Sequence, residues 1–493
     1  MTEQQVEETS ATNEIRGTLD RTVARLTSRE FLNTIIATIA SIVMALIVAA
    51  MIMLATGYNP LNAFSALFFG AILQFDLVLY NATPLLLAGL SVALAFKCGL
   101  FNIGAEGQLY IGSIVATAVG YMIALPFGIH QIVALGAGVL SGLLYGLLPG
   151  ILRAYRGAHE VVTTMMLSYS SVLLTQWLVS QGPMHNPGDS RSVSPFIFDT
   201  AFLPKLFGSA FLNWGFIIAV GCVILVEFFI NRTVMGYEMR AVGQNEEAAK
   251  TAGINSKRNM ALALGLSGGL AGLAGSEEVL GYYHRFYDQW SGGIGFDGIT
   301  VAVLGRNNPW GVLGGALFFG ALKAGGGYMQ TIAGVPSEMV GVIQGLVVLF
   351  VAAPRLVEWL ANRGIGYAQW IVKKPKEGVP SIIALAFGIM TANFAMLMLA
   401  TLMIANVLLA LLGLLIIIMG LVVIVLHLKI DERRFGVTTA TFILWLIMLL
   451  TGMMFIPMGT VSVVAIMTGF GFVVTMLLAY TEDATSIQLG GEQ

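Results

Sequence analysis

Gly89-Leu90-Ser91-Val92-Ala93-Leu94-Ala95, followed by Ile103-Gly104-Ala105-Glu106-Gly107, has a second copy downstream. That copy is Gly265-Leu266-Ser267-Gly268-Gly269-Leu270-Ala271, followed by Ile294-Gly295-Phe296-Asp297-Gly298. Each reads G-L-S-x-x-L-A, then I-G-x-(E/D)-G, then an apolar stretch. The competing reading is chance similarity among runs rich in Gly, Ala and Leu. As a repeat, the pair implies one all-α bundle built from two related units.

The surrounding composition sets the solvent of that bundle. The chain has 493 residues, of which 57% are hydrophobic and 11% charged. Its mean hydropathy is +0.83. Soluble domains carry about 25% charged residues, so this chain cannot clothe a water-exposed surface. A soluble enzyme and a disordered chain are excluded. A net charge of −2 offers no basic field for a phosphate backbone, so nucleic acid is not a partner. The cysteines Cys98 and Cys222 sit in apolar runs, which implies neither a disulfide framework nor a metal site. The expected class is a polytopic membrane protein in a lipid bilayer.

Apolar runs lie near residues 31–56, 81–98, 106–124, 130–149, 161–180, 213–231, 259–275, 294–305, 310–330 and 336–353. About 20 apolar residues cross a bilayer core, so these give about ten spans in a core at 31–355. The stretch 61–75 is apolar but short and reads as interfacial or re-entrant. Residues 1–30 read as a cytoplasmic N-terminal segment and 356–379 as a cytoplasmic linker. Four further spans are expected at 380–480, then a cytoplasmic tail at 481–493. With the N-terminus inside, 21 Lys and Arg fall on the inner face and three (Arg191, Lys205, Arg285) outside, as cytoplasmic enrichment requires. The two G-L-S copies then cross in opposite directions, the pattern of an inverted repeat.

Glu106 and Asp297 each open an apolar segment. Two roles fit. An acid in the first turn suits the helix dipole. An acid at a broken helix also suits a translocation path. Gly138, Gly142, Gly146 and Gly150 recur every four residues, a small-residue stripe for close helix packing. Leu266-Ser267-Gly268-Gly269-Leu270 imitates the start of an ATPase signature. It lies in an apolar span, however, and the chain has no G-x-x-x-x-G-K-[ST] loop to cradle phosphates. Energy from ATP must therefore enter through a partner.

Between spans, Asn245 through Ile254 reads as a short helix on the inner face. Asn245 suits the N-cap, Glu246 and Glu247 the first turn, and Lys250 the last. Gly253 fits the left-handed position beyond it. Such a helix is either a docking knob for a cytosolic partner or an ordinary surface helix.

Four blocks now carry a family resemblance: Thr83-Pro84-Leu85 through Asn102-Ile103-Gly104-Ala105-Glu106-Gly107-Gln108; Glu160 through Leu167; Arg240 through Asn245 to Gly253-Ile254; and Gly295-Phe296-Asp297-Gly298 through Pro309-Trp310-Gly311. The chain resembles a permease subunit of a bacterial ABC importer, of the group for nucleosides, simple sugars and branched-chain amino acids. The N-I-G-A-E-G-Q block leans to nucleosides. The likeness implies that 31–355 is the permease core, in the cell membrane, with both termini cytoplasmic. It implies no enzymatic step and no cofactor in this chain. ATP and magnesium would be bound by a partner ATP-binding subunit docked on Gln244, Asn245, Glu246, Glu247, Ala248, Ala249 and Gly253. A second, different permease subunit and an extracytoplasmic substrate-binding lipoprotein complete the expected assembly. His159-Glu160 and Leu167-Ser168-Tyr169 depart from the family's Asn-Glu and Leu-Asn-Tyr, and the spans at 380–480 are foreign to the usual subunit.

Candidates to line the substrate path are Asn102, Glu106, Gln108, Ser168, Tyr169 and Asp297. A loop from Ser276 to Trp290, with Tyr282, Tyr283, Phe286 and Trp290, is expected outside. It fits a contact for the binding protein, an outer gate, or an interfacial aromatic belt. The rival class, an ion-coupled secondary transporter, would use Glu106, Glu227, Asp297 and Lys323 as a relay, and leaves 246–252 without a role. Which nucleoside or sugar is carried stays open.

Overall fold

A computed structural model describes residues 29–353. The expected N-terminal segment, apart from its last residues, and the linker, four-span extension and tail lie outside the described residues. Within them the chain is helical, with two isolated β-bridges and no strand. The helices are α1 (Arg29–Ala55), α2 (Pro60–Leu73), α3 (Phe75–Lys97), α4 (Ala105–Met122), α5 (Ile129–Arg156), α6 (Glu160–Ser180) and α7 (Gly215–Arg232). Then come α8 (Val234–Gln244), α9 (Glu246–Thr251), α10 (Ser256–Glu278), α11 (Ile294–Leu304), α12 (Pro309–Ala333) and α13 (Glu338–Ala352). By length and composition, α3, α5 and α7 are long and apolar enough to cross a membrane.

The bundle is organised around α10, which packs along α3, α4 and α5. Eighteen of its 23 residues are buried. A helix enclosed by other helices needs no lipid-facing apolar stripe, which is why 12 of the 23 residues of α10 are Gly, Ala or Ser, with leucines between them and no Ile. The expected glycine stripe lies on α5 and faces a second one on α10. A Cβ on Gly142 would overlap the Gly268 carbonyl, and one on Gly146 the Leu264 carbonyl. The relation is mutual: a Cβ on Gly268 would overlap the Gly142 carbonyl, and one on Gly272 the Gly138 carbonyl. Gly272 is approached from α4 as well, where a Cβ on Gly112 would overlap its backbone.

Helix ends follow local chemistry, with some shifts from the hydropathy boundaries. α3 starts at Phe75 rather than near 81, with Asp76 in its first turn, where the helix dipole favours an acid. The short run at 61–75 is the 14-residue α2, capped by the Asn59 side chain on the Leu61 and Asn62 amides. α5 runs through the buried Pro149 to Arg156, two turns beyond the apolar run, and stops at Gly157 in the left-handed region. α10 continues through Ser276, Glu277 and Glu278 into a five-residue π-helical segment, Val279–Tyr283. Those residues are helical, not loop. Ring and carboxylate side chains had disguised them as a connection.

The long connection 181–214 folds back over this π segment. Ser194 N–H donates to the Phe286 carbonyl at 2.8 Å, and Ile197 N–H to the His284 carbonyl at 3.0 Å. Asp189 clamps the two segments. It is bonded by Arg191 at 2.8 Å and Arg285 at 3.1 Å, and the Arg191 hydrogen bonds hold its carboxyl well below the usual carboxylate range.

Adjacent glycines on α10 test the backbone contact. Gly268→Ala forces a methyl against the Gly142 carbonyl and should lower stability by about 1–3 kcal/mol. At Gly269 the nearest atom to a new Cβ is 3.5 Å away, so Gly269→Ala should be neutral or stabilising. Thermal unfolding in detergent, followed by intrinsic fluorescence, distinguishes them.

Candidate functional site

The two repeated motifs meet. The hydroxyls of Ser91 on α3 and Ser267 on α10 lie 3.0 Å apart, and Ser267 Oγ donates to the Ser91 carbonyl at 2.7 Å. Asn102 Nδ2 reaches Ser267 Oγ at 2.7 Å and Gln108 Oε1 at 2.8 Å. Asn102 Oδ1 in turn accepts from the Gly104 amide at 3.0 Å. Asn102 and Gln108 are buried and satisfy one another. In this conformation they brace the turn between α3 and α4. A fully paired buried network of this kind fixes geometry.

One turn further on, Glu106 enters the start of α11. Its Oε2 accepts from the Gly295 amide at 2.6 Å. Gly295 is required there, because a Cβ would overlap the backbone of Glu106. Both acids singled out by the repeat therefore open helices, Glu106 in the first turn of α4 and Asp297 in that of α11. Asp297 pairs with Lys323 of α12 at 2.7 Å, with both side chains about three-tenths exposed (29% and 28%). Ser168 on α6 closes the other side of α4, accepting from the Gly107 amide at 3.3 Å. Tyr169 stands apart, on an exposed face of α6.

The rings of the aromatic segment differ in exposure. Phe286 and Trp290 are buried, so neither offers a surface to a docking protein. Tyr110 explains this, with Phe286 and Trp290 packed at centroid distances of 6.1 and 5.9 Å. Tyr282 and Tyr283 remain half-buried. Sequence reading missed Glu277 and Glu278, both buried. The signal was present: two consecutive acids at the end of an apolar run, where ionisable side chains are scarce and mark function.

At the other end of the bundle, α8 and α9 form the polar connection between α7 and α10. Asn245 Oδ1 caps α9 by accepting from Ala248 N–H at 3.0 Å. Lys250 pairs with Glu246 at 2.9 Å and Glu247 at 2.8 Å. Gly253 ends the unit at φ +82°. Gln244, Asn245, Glu247, Ala248 and Gly253 are exposed, while Ala249 is buried. Ala249 belongs to one apolar cluster with Val242, Leu100 and Leu264. That cluster links α9 to the Asn102 turn and to the Ser267 helix.

Apolar helices enclosing ionisable groups and close-packed glycine seams define a polytopic membrane protein of the transport class. The chain belongs to the family described as branched-chain amino acid transport system / permease component, which matches residues 74–352. Among curated proteins it is similar to the "Guanosine ABC transporter permease protein NupP" of Bacillus subtilis (strain 168), 36% identical over 67% of this chain and 97% of the relative. The "Nucleoside ABC transporter permease protein NupB" of Lactococcus lactis subsp. cremoris (strain MG1363) is 34% identical over 64% of this chain and 90% of the relative. The "Glucose ABC transporter permease protein TsgB13" of Haloferax volcanii is 34% identical over 63% of this chain and 85% of the relative. No solved structure matches the chain significantly.

Ser267 is the hub between the two motifs. Ser267→Ala strands the Asn102 amide in the core, and should cost about 1–3 kcal/mol of stability in the same thermal assay. Ser65→Ala, whose hydroxyl makes an exposed bond to the Asn62 carbonyl, should change little.

Proposed function

We propose that the chain is the membrane-spanning permease subunit of an ATP-driven importer of nucleosides. The observation that carries this is the similarity to guanosine and nucleoside permeases along nearly their whole length. The partners are an ATP-binding subunit, a second permease chain and an extracytoplasmic substrate-binding lipoprotein. ATP and magnesium belong to the ATP-binding subunit. A simple sugar is the second reading, supported by the glucose permease relative. The ion-coupled reading has less support, because it assigns nothing to α9.

The ATP-binding subunit docks on Gln244–Gly253, and both chain termini lie on that cytoplasmic side. Force applied to α9 passes through the buried Ala249 to Leu100 and Leu264. These lie two residues before Asn102 and three before Ser267. The matched halves form an inverted repeat, supported by the contacts between their equivalent motifs at Ser91–Ser267 and Glu106–Gly295. Rocking of one half against the other opens a path beside Glu106, Ser168 and Asp297.

Uptake of labelled guanosine and adenosine against ribose and glucose, in a strain with and without the gene and lacking redundant importers, tests the substrate. Nucleoside uptake should be lost on deletion. Unchanged nucleoside uptake with lost sugar uptake would replace the first reading by the second. Loss of neither would reject both.

Docking has its own test. Gly253→Val places a β-branched residue in a left-handed conformation, which costs roughly 1–2 kcal/mol for any L-residue and more for Val. A Cβ there meets no atom within 4 Å, so the damage stays local to α9. Membrane insertion should be normal and ATP-driven uptake lost, with Gly253→Asn retaining much of it. Normal uptake by the valine variant would refute the docking role.

A further inference from the structure

The end of α10 at Glu277–Trp290 holds chemistry that the bracing network around Asn102 does not explain. Glu277 and Glu278 are 1% and 2% exposed. The chain then changes from α- to π-helical over Val279–Tyr283, a distortion that gathers at functional sites. Tyr80 of α3 donates its hydroxyl to Glu278 Oε2 at 3.0 Å. Pro84 lies four residues after Tyr80 inside the same helix. It has no N–H to give the Tyr80 carbonyl, which loosens α3 locally.

The aromatic rings are continuous here. Tyr80 packs on Tyr282 at 4.7 Å, Tyr282 on Tyr283 at 4.9 Å, and Tyr283 on Trp290 at 5.5 Å. Three buried polar atoms of 277–290 have no hydrogen-bond partner: Glu277 Oε2, His284 Nδ1 and Trp290 Nε1; the first, an acceptor, and the last, a donor, belong to the acid and ring group. Buried groups left unpaired are costly, and a ligand that pairs them recovers that cost. Tyr80, Tyr282 and Tyr283 are half-buried, so the group is open at one side.

The requirements are specific. The ligand must donate to carboxylates, accept from an indole N–H and offer a flat face to one of these mutually tilted rings. We propose that Glu277 and Glu278 receive the sugar hydroxyls of a nucleoside while the Tyr80–Tyr282–Tyr283–Trp290 rings hold its base. Hydroxyl donors on a carboxylate make strong, short hydrogen bonds, and base stacking on an aromatic ring contributes about 1–3 kcal/mol. A free sugar supplies the donors but no aromatic face. A nucleotide supplies both, yet brings its phosphate against two buried carboxylates. The site thus selects nucleosides over both relatives. This inference rests on the nucleoside reading above, and adds where in the chain the substrate is held.

The test uses the complete importer in right-side-out membrane vesicles. A photoactivatable azidopurine nucleoside that competes with adenosine uptake is crosslinked, and the labelled permease peptides are mapped by mass spectrometry. Label is expected on 277–290 or on the Tyr80 segment, chased by excess adenosine but not by adenosine monophosphate or ribose. Glu278→Gln, which keeps shape and removes charge, should reduce the labelling about tenfold at equal membrane abundance. Mapping on the unaltered protein needs no variant to fold. If adenosine uptake is intact and the label falls on Asn102–Gln108 or around Ser168, or is chased equally by the monophosphate, the assignment is overturned while the nucleoside reading stands. If the unaltered vesicles take up no nucleoside, both fall.

Discussion

Backbone meets backbone where α5 crosses α10, because the two helices present glycines to each other at the same four-residue spacing. Gly138, Gly142 and Gly146 on one side and Gly268 and Gly272 on the other leave no room for a Cβ. In lipid no hydrophobic force drives helices together, so contact of this intimacy must supply the attraction through packing. Everything else is hung from that seam. It places Ser267 beside Ser91 and Asn102, and sets the acidic end of α10 among the rings of Tyr80, Tyr283 and Trp290. A bulkier residue in the seam would move all of these at once.

The same arrangement separates rigid from adaptable parts. The Asn102–Gln108–Ser267 network is closed on itself, each amide spending its hydrogen bonds on the others. The Asp297–Lys323 pair and the half-buried tyrosines are less enclosed. A transport protein needs both.

Much of this could be read from the residues, and the limits have a physical cause. The α5 stripe was visible because its four glycines repeat locally, and the α9 helix because Asn245 and Gly253 are its own punctuation. The matching face of α10 was hidden. Its Gly268 sits inside a G-L-S copy that suggested other roles, with Gly272 just beyond it, and their partners lie more than 120 residues away in the chain. Ser91 and Ser267 are 176 residues apart, and no periodicity announces a contact of that range. Glu277 and Glu278 were absorbed into an expected loop, because charged and aromatic residues resemble a connection until a helix is seen to run through them. Of the path candidates, Asn102 and Gln108 are paired to each other, and Tyr169 lies on an exposed face of α6.

The composition of α10 bears on how the protein is made. A segment with Lys257 and Arg258 at its start, two acids at its end and 12 small residues out of 23 has less affinity for hydrocarbon than a span of Leu and Ile. α5 is synthesised about a hundred residues earlier, with its glycine groove already in the bilayer when α10 emerges. The groove then acts as the receptor for a later part of its own chain. Biogenesis of the permease has a direction, and α10, with α11, α12 and α13 still to follow it, enters a site that an earlier helix has prepared.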